Sequence, residues 1–121
     1  MSQYKTYTTL TLPVGLNDLA ILRSVILNYL TYARRALPPT QQRKAQTLIL
    51  EGVYRRLASV PLERTGTQLL LQEPEIRALD EAITMFASFV TQKVAPSLER
   101  DKTLRDLENL RQSVAYTLFT S

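Results

Sequence analysis

Between Leu19 and Leu37 the apolar side chains, placed at about 100° per residue, close into one unbroken arc of a helix. Ile21, Leu22, Val25, Ile26, Tyr29, Leu30, Tyr32, Ala33 and Ala36 fill roughly half the circumference, whereas a helix lying on a surface needs a stripe only a little over ~100° wide. The width predicts a helix packed against two or more neighbours and constrains the rest of the chain to supply them. Its narrow wet face carries Arg23, Ser24, Asn28, Thr31, Arg34 and Arg35.

The neighbours are legible downstream. Pro38 and Pro39 stop the first helix, since proline lacks the amide a helix needs and its ring strikes the preceding turn. Thr40 or Gln41 starts a second helix reaching about Ser59, with a narrower stripe of Ile49, Leu50, Val53, Tyr54, Leu57 and Val60. Glu73-Pro74-Glu75 opens a third, because proline in the first turn sacrifices no bond and acids there complement the helix dipole. It reads to about Ala95, its seam of Ile76, Leu79, Ile83, Phe86 and Val90 stepping by three and four and widened by Ala78, Ala82, Met85 and Phe89. The two broad helices are expected to pack on each other at the middle. Pro96 ends the third helix, Ser97–Lys102 reads as a polar loop, and Thr103 as the cap of a fourth helix, Leu104–Phe119, with the stripe Leu107, Leu110, Val114 and Leu118.

The ends of the pattern are different. Residues 3–12 are rich in Thr and Tyr and read as extended, with Tyr4, Thr6, Thr8, Leu10 and Leu12 on one face, until Pro13, Gly15 and Asn17 break the strand and Asn17 or Asp18 caps the first helix. A lone strand leaves its backbone groups unpaired, so it needs a partner: Thr67–Gln72, or the same segment of a second copy. Pro61 and Gly66 mark a turn, and the Leu69-Leu70-Leu71 run after them is too short for periodicity to separate strand from helix. The expected fold is all-α: one domain over residues 1–121, with an extended, β-capable N-terminal arm over 1–16 and a four-helix antiparallel bundle over 17–121.

Composition fits one folded domain, with 45% hydrophobic and 21% charged residues in 121 and only three glycines to punctuate it. There is neither cysteine nor histidine. Disulfides and the commonest zinc ligands are thereby excluded, and the usual proton carrier near neutral pH is missing. No glycine-rich phosphate loop occurs, and the acids stand in scattered pairs: Glu73/Glu75, Asp80/Glu81, Glu99/Asp101 and Asp106/Glu108. The expectation is a non-enzyme with no cofactor and no metal. The greasiest run, Leu19–Leu30, is broken by Arg23 and Asn28 and falls short of a membrane span, and no secretion-signal pattern opens the chain, so a cytoplasmic protein is expected.

Charge is uneven. Residues 1–60 carry eight Lys/Arg against two acids, and residues 61–121 seven against nine. Arg34 and Arg35 stand just before the first helical turn, Arg43 and Lys44 just after it, so a hairpin gathers all four at one tip. The first two suit a helix C-terminus, but the second two oppose the dipole of a helix N-terminus, so dipole stabilisation accounts for only half the cluster. The tip is the expected partner-binding site, for an acidic protein surface or alternatively for nucleic-acid phosphates. Arg55 and Arg56 form a second basic pair, with Glu51 one turn before Arg55. Two half-cylinders of apolar side chain exceed what a small monomer hides, which favours a homodimer or docking onto a partner protein. The expected role is therefore that of a helical adaptor, regulatory or assembly subunit.

Overall fold

The computed structural model describes residues 9–36, 38–59 and 67–119, excepting the side chains of Leu16, residues 33–36 and Thr67. Tyr4, Thr6, Thr8, Leu37, Val60, Pro61 and Gly66 of the sequence reading lie outside the described residues. Within them the order is β1 (Thr9–Val14), α1 (Leu16–Ala36), α2 (Gln41–Ser59), β2 (Thr67–Gln72), α3 (Glu73–Lys93) and α4 (Leu98–Phe119). The protein is thus mostly helical with one small sheet.

The two strands pair antiparallel, Leu10 opposite Leu71 and Leu12 opposite Leu69. Alternation along β1 buries Leu10, Leu12 and Val14 and exposes Thr9, Thr11 and Pro13, so Thr9–Val14 of the stretch expected as an arm contributes to the core. The Leu69–Leu71 run is strand, burying Leu69 and Leu71 and exposing Leu70. β1 does not end at Pro13, as expected, but continues to Val14. Antiparallel ladders alternate between pairs whose backbone groups face each other and pairs whose groups face outward. The Leu70 carbonyl accepts from Arg56 Nη1 at 3.3 Å and the Gln72 amide donates to Glu75 Oε1 at 2.8 Å, so the pairs of this parity, Pro13 with Gln68 included, face outward. An outward position asks proline for no ladder hydrogen bond, which is why the strand tolerates it.

Helix starts depart from expectation in instructive ways. Gly15, not Asn17 or Asp18, precedes the first turn of α1: its carbonyl accepts the Leu19 amide at 3.1 Å, while Asp18 Oδ2 reaches back to accept the Gly15 amide at 3.0 Å. Thr40 caps α2, its hydroxyl accepting the Arg43 amide at 3.1 Å. The expected loop Ser97–Lys102 is helix from Leu98 onward. Ser97 Oγ accepts the Arg100 amide at 3.1 Å and the Ser97 carbonyl accepts the Asp101 amide, leaving Thr103 in the helix interior. The segment looked like a loop because all its side chains but Leu98 are polar, yet Glu99 and Asp101 in a first turn are what a helix N-terminus prefers.

The core joins both broad helices to the sheet. Leu19, Leu22, Val25, Ile26 and Tyr29 of α1 are buried together with Ile76, Leu79, Ala82 and Ile83 of α3, and these two helices contact each other. α3 touches each of the other three helices, while α1 touches α2, α3 and β1. α4 packs against α3 and β1 through Leu107, Leu110 and Val114. Full burial of each such side chain is worth about 1.5–3 kcal/mol, so this shared seam is what fixes the helices around it.

Candidate functional site

The hairpin expected to gather four cations does not leave them equivalent. α1 ends and α2 begins on either side of the two prolines, which places Arg34 and Arg35 in the last turn of α1 and Arg43 and Lys44 in the first of α2. The side chains of Arg34 and Arg35 lie outside the described residues. Lys44 is exposed.

Arg43 turns inward. Its Nη1 donates to the Tyr29 hydroxyl at 2.7 Å, lies 3.4 Å from Glu81 Oε1 and 4.0 Å from Met85 Sδ, and its guanidinium carbon stands 5.8 Å from the Tyr29 ring centre. Gln46 Nε2 donates to the other Glu81 oxygen. This knot ties α1, α2 and α3 together, and it explains how a fully buried Tyr29 satisfies its hydroxyl. Arg43 is therefore engaged by groups of its own chain while its side chain stays 26% exposed. Sequence reading could not see this, because Glu81 lies 38 positions away and only the fold brings it close.

A cleft opens beside the knot, between α1 and α3. Asn28, Tyr29 and Tyr32 form one wall, and Met85, Ser88, Phe89, Gln92 and Lys93 form the other. Tyr32, expected in the core from its place on the apolar arc, is 42% exposed, and Phe89 is 37% exposed. Phe86 stacks on Phe89 with ring centres 6.4 Å apart and planes inclined by 11°, so the exposed ring is held by a partly buried one. The cleft is lined by three aromatic side chains, of which Tyr32 and Phe89 are exposed, and a thioether, together with two amides, the Ser88 hydroxyl and one ammonium. Those groups can hold an apolar side chain and orient a polar or acidic neighbour.

Several of the remaining charges are occupied in structure. Arg55 and Arg56, expected as a second basic pair, are both exposed, and Arg56 makes an ion pair with Glu75 and bonds the Leu70 carbonyl. Arg77 bonds Glu73 one turn away, and Arg111 of α4 stands 3.6 Å from Asp80 of α3. Arg23, placed on the wet face by the helical wheel, is part-buried and donates through Nη2 to the Leu57 carbonyl at 2.7 Å, near the C-terminus of α2. Among the described residues no group of three acids converges as a metal site would require, and no helix is long and apolar enough to cross a membrane. The chain matches no protein-family model, no curated protein and no solved structure.

Proposed function

We propose that this protein is a non-catalytic interaction subunit that docks an acidic partner protein at the cleft between α1 and α3. The carrying observation is the pair of exposed aromatic rings, Tyr32 and Phe89, set beside Lys93 in that cleft. Aromatic anchors in a concave site, ringed by polar groups, are the usual energetic centre of a protein–protein contact. The cations that steer the partner are Lys93 at the end of α3 and Lys44 in the first turn of α2, with Arg34 and Arg35 in the last turn of α1; Arg43 serves as the post that holds Tyr29 in place. The four helices are read as an up-down-up-down antiparallel bundle. Supporting this are Arg23 of α1 meeting Leu57 near the far end of α2, and Arg111 of α4 meeting Asp80 near the start of α3.

A photo-crosslinking residue placed at Phe89 or Tyr32, with a control at exposed Leu98 on α4, tests the reading in extracts of the native host. The expected outcome is one acidic protein joined through the first two positions and not the third. That adduct should fade as salt is raised and in a Lys44→Glu/Lys93→Glu variant. Equal labelling from all three positions would remove the cleft from the account. Co-purifying nucleic acid with an affinity falling steeply with salt would replace the protein partner by a phosphate backbone.

A further inference from the structure

The two edges of the sheet are finished differently. On β2 the outward Leu70 carbonyl is taken by Arg56, the outward Gln72 amide by Glu75, and these two side chains are ion-paired to each other. That clamp lies across the Leu70–Gln72 end of the edge on which another strand would have to build. On β1 the outward groups belong to Thr9, Thr11 and Pro13, and among the described residues no side chain or backbone group bonds the amides or carbonyls of Thr9 and Thr11. Both threonines are exposed, and no charged residue stands anywhere in Thr9–Val14. Proteins usually blunt a free edge with charge, proline or a covering element. Among the described residues of this edge Pro13, at the far end, is the one such device on the strand itself; α1 and α4 contact β1 without bonding Thr9 or Thr11.

We infer that β1 pairs edge to edge with β1 of a second copy, antiparallel about a two-fold axis, making a four-stranded sheet in the order β2-β1-β1-β2. The register follows from the prolines. Thr9 opposite Thr11 of the partner subunit, with Leu10 on the axis, exchanges two hydrogen bonds at each of two symmetric positions, and Pro13 takes part in neither of these pairs, falling past the described end of the partner strand. Centring on Thr11 would instead set Thr9 against a proline with no amide to give. The register also places threonine beside threonine on the exposed face, a favourable cross-strand pair. A second copy is the occupant because it limits the growth. Both outer edges of the enlarged sheet are then β2 edges, each carrying at Leu70 and Gln72 an Arg56–Glu75 clamp that a further strand would have to displace, so growth is hindered beyond a dimer. An unrelated strand added to β1 would present a fresh open edge of its own. This contact is separate from the cleft and stands or falls independently of it.

Sedimentation of the full chain over a range of concentrations, with amide hydrogen exchange on the same samples, is the test. A monomer–dimer equilibrium is expected, with the Thr9 and Thr11 amides gaining protection as the dimer fills while the Leu10 and Leu12 amides, already in the ladder with β2, change little. Thr11→Pro removes one outward donor per copy and should raise the dimer Kd roughly thirtyfold, from two symmetric bonds lost. Its own β1–β2 pairing needs no Thr11 amide. Thr11→Lys keeps the backbone intact and should likewise shift the chain to monomer through like charges meeting across the axis, with the helical circular dichroism unchanged. A chain monomeric up to millimolar concentration overturns the inference, as does a dimer that keeps its Kd in both variants or forms without protecting Thr9 and Thr11.

Discussion

At the scale of single residues, the Arg43 knot separates structural cations from free ones. Tyr29 is buried, so its hydroxyl needs a partner, and an orphaned buried polar group costs about 1–3 kcal/mol. Arg43→Met keeps an aliphatic stem and should lower unfolding stability by about that amount. Tyr29→Phe added to it removes the orphan, so the double variant should recover part of the loss; urea titrations of the four proteins give the coupling. A strictly additive cycle would mean the two groups do not depend on each other. Gly52 points the other way. It sits inside α2, and a methyl group built there meets nothing within 4 Å. Glycine in a helix interior forfeits roughly 0.5–1 kcal/mol against alanine, so Gly52→Ala should raise the urea midpoint with no change in slope.

At the scale of elements, helix ends are where sequence and structure part company. Ser97→Ala should cost about 1 kcal/mol in thermal or urea unfolding, because it strips the acceptor for the Arg100 amide. Thr103→Ala, at the position the sequence favoured as the cap, should cost less than about 0.5 kcal/mol. The reverse order would return the start of α4 to Leu104. The interiors of the elements were legible for a simple reason. Burial repeats with the geometry of the backbone, so Leu22, Val25, Ile26 and Tyr29, or Leu50, Val53 and Leu57, announce themselves by spacing. A cap depends on one hydroxyl and one amide, and Ser97 and Thr103 both precede plausible first turns. The β1–β2 pairing was legible as a need, since an extended segment demands a partner, but choosing Thr67–Gln72 over a second copy took coordinates. The candidate site was least legible. Tyr32 shares the apolar arc with buried neighbours yet faces the cleft, and Arg23 and Arg43 look solvated on a wheel although each reaches a group contributed by another helix.

At the scale of the whole molecule, the sheet decides whether the N-terminal stretch is an ornament or a structural member. Leu12 is fully buried and stands opposite Leu69, and β1 contacts α1 and α4 while β2 contacts α3. The strand therefore spans helices that follow it by as many as a hundred positions, and loosening it must loosen them. Removing three carbons at a closed position leaves a void, and Leu→Ala at such sites costs about 2–5 kcal/mol out of a total near 5–15 kcal/mol. Leu12→Ala should accordingly lower the urea midpoint as far as Leu22→Ala does in α1, and far-UV ellipticity should fall together with tyrosine fluorescence in one transition. The alternative has a distinct signature. If β1 were a detachable arm, Leu12→Ala would leave the helical transition where it is in the parent chain, and a separate early loss would be confined to signals from the strands. Coincident curves displaced to the same lower midpoint place β1 inside the cooperative unit, on which the open Thr9–Thr11 edge depends for its rigidity.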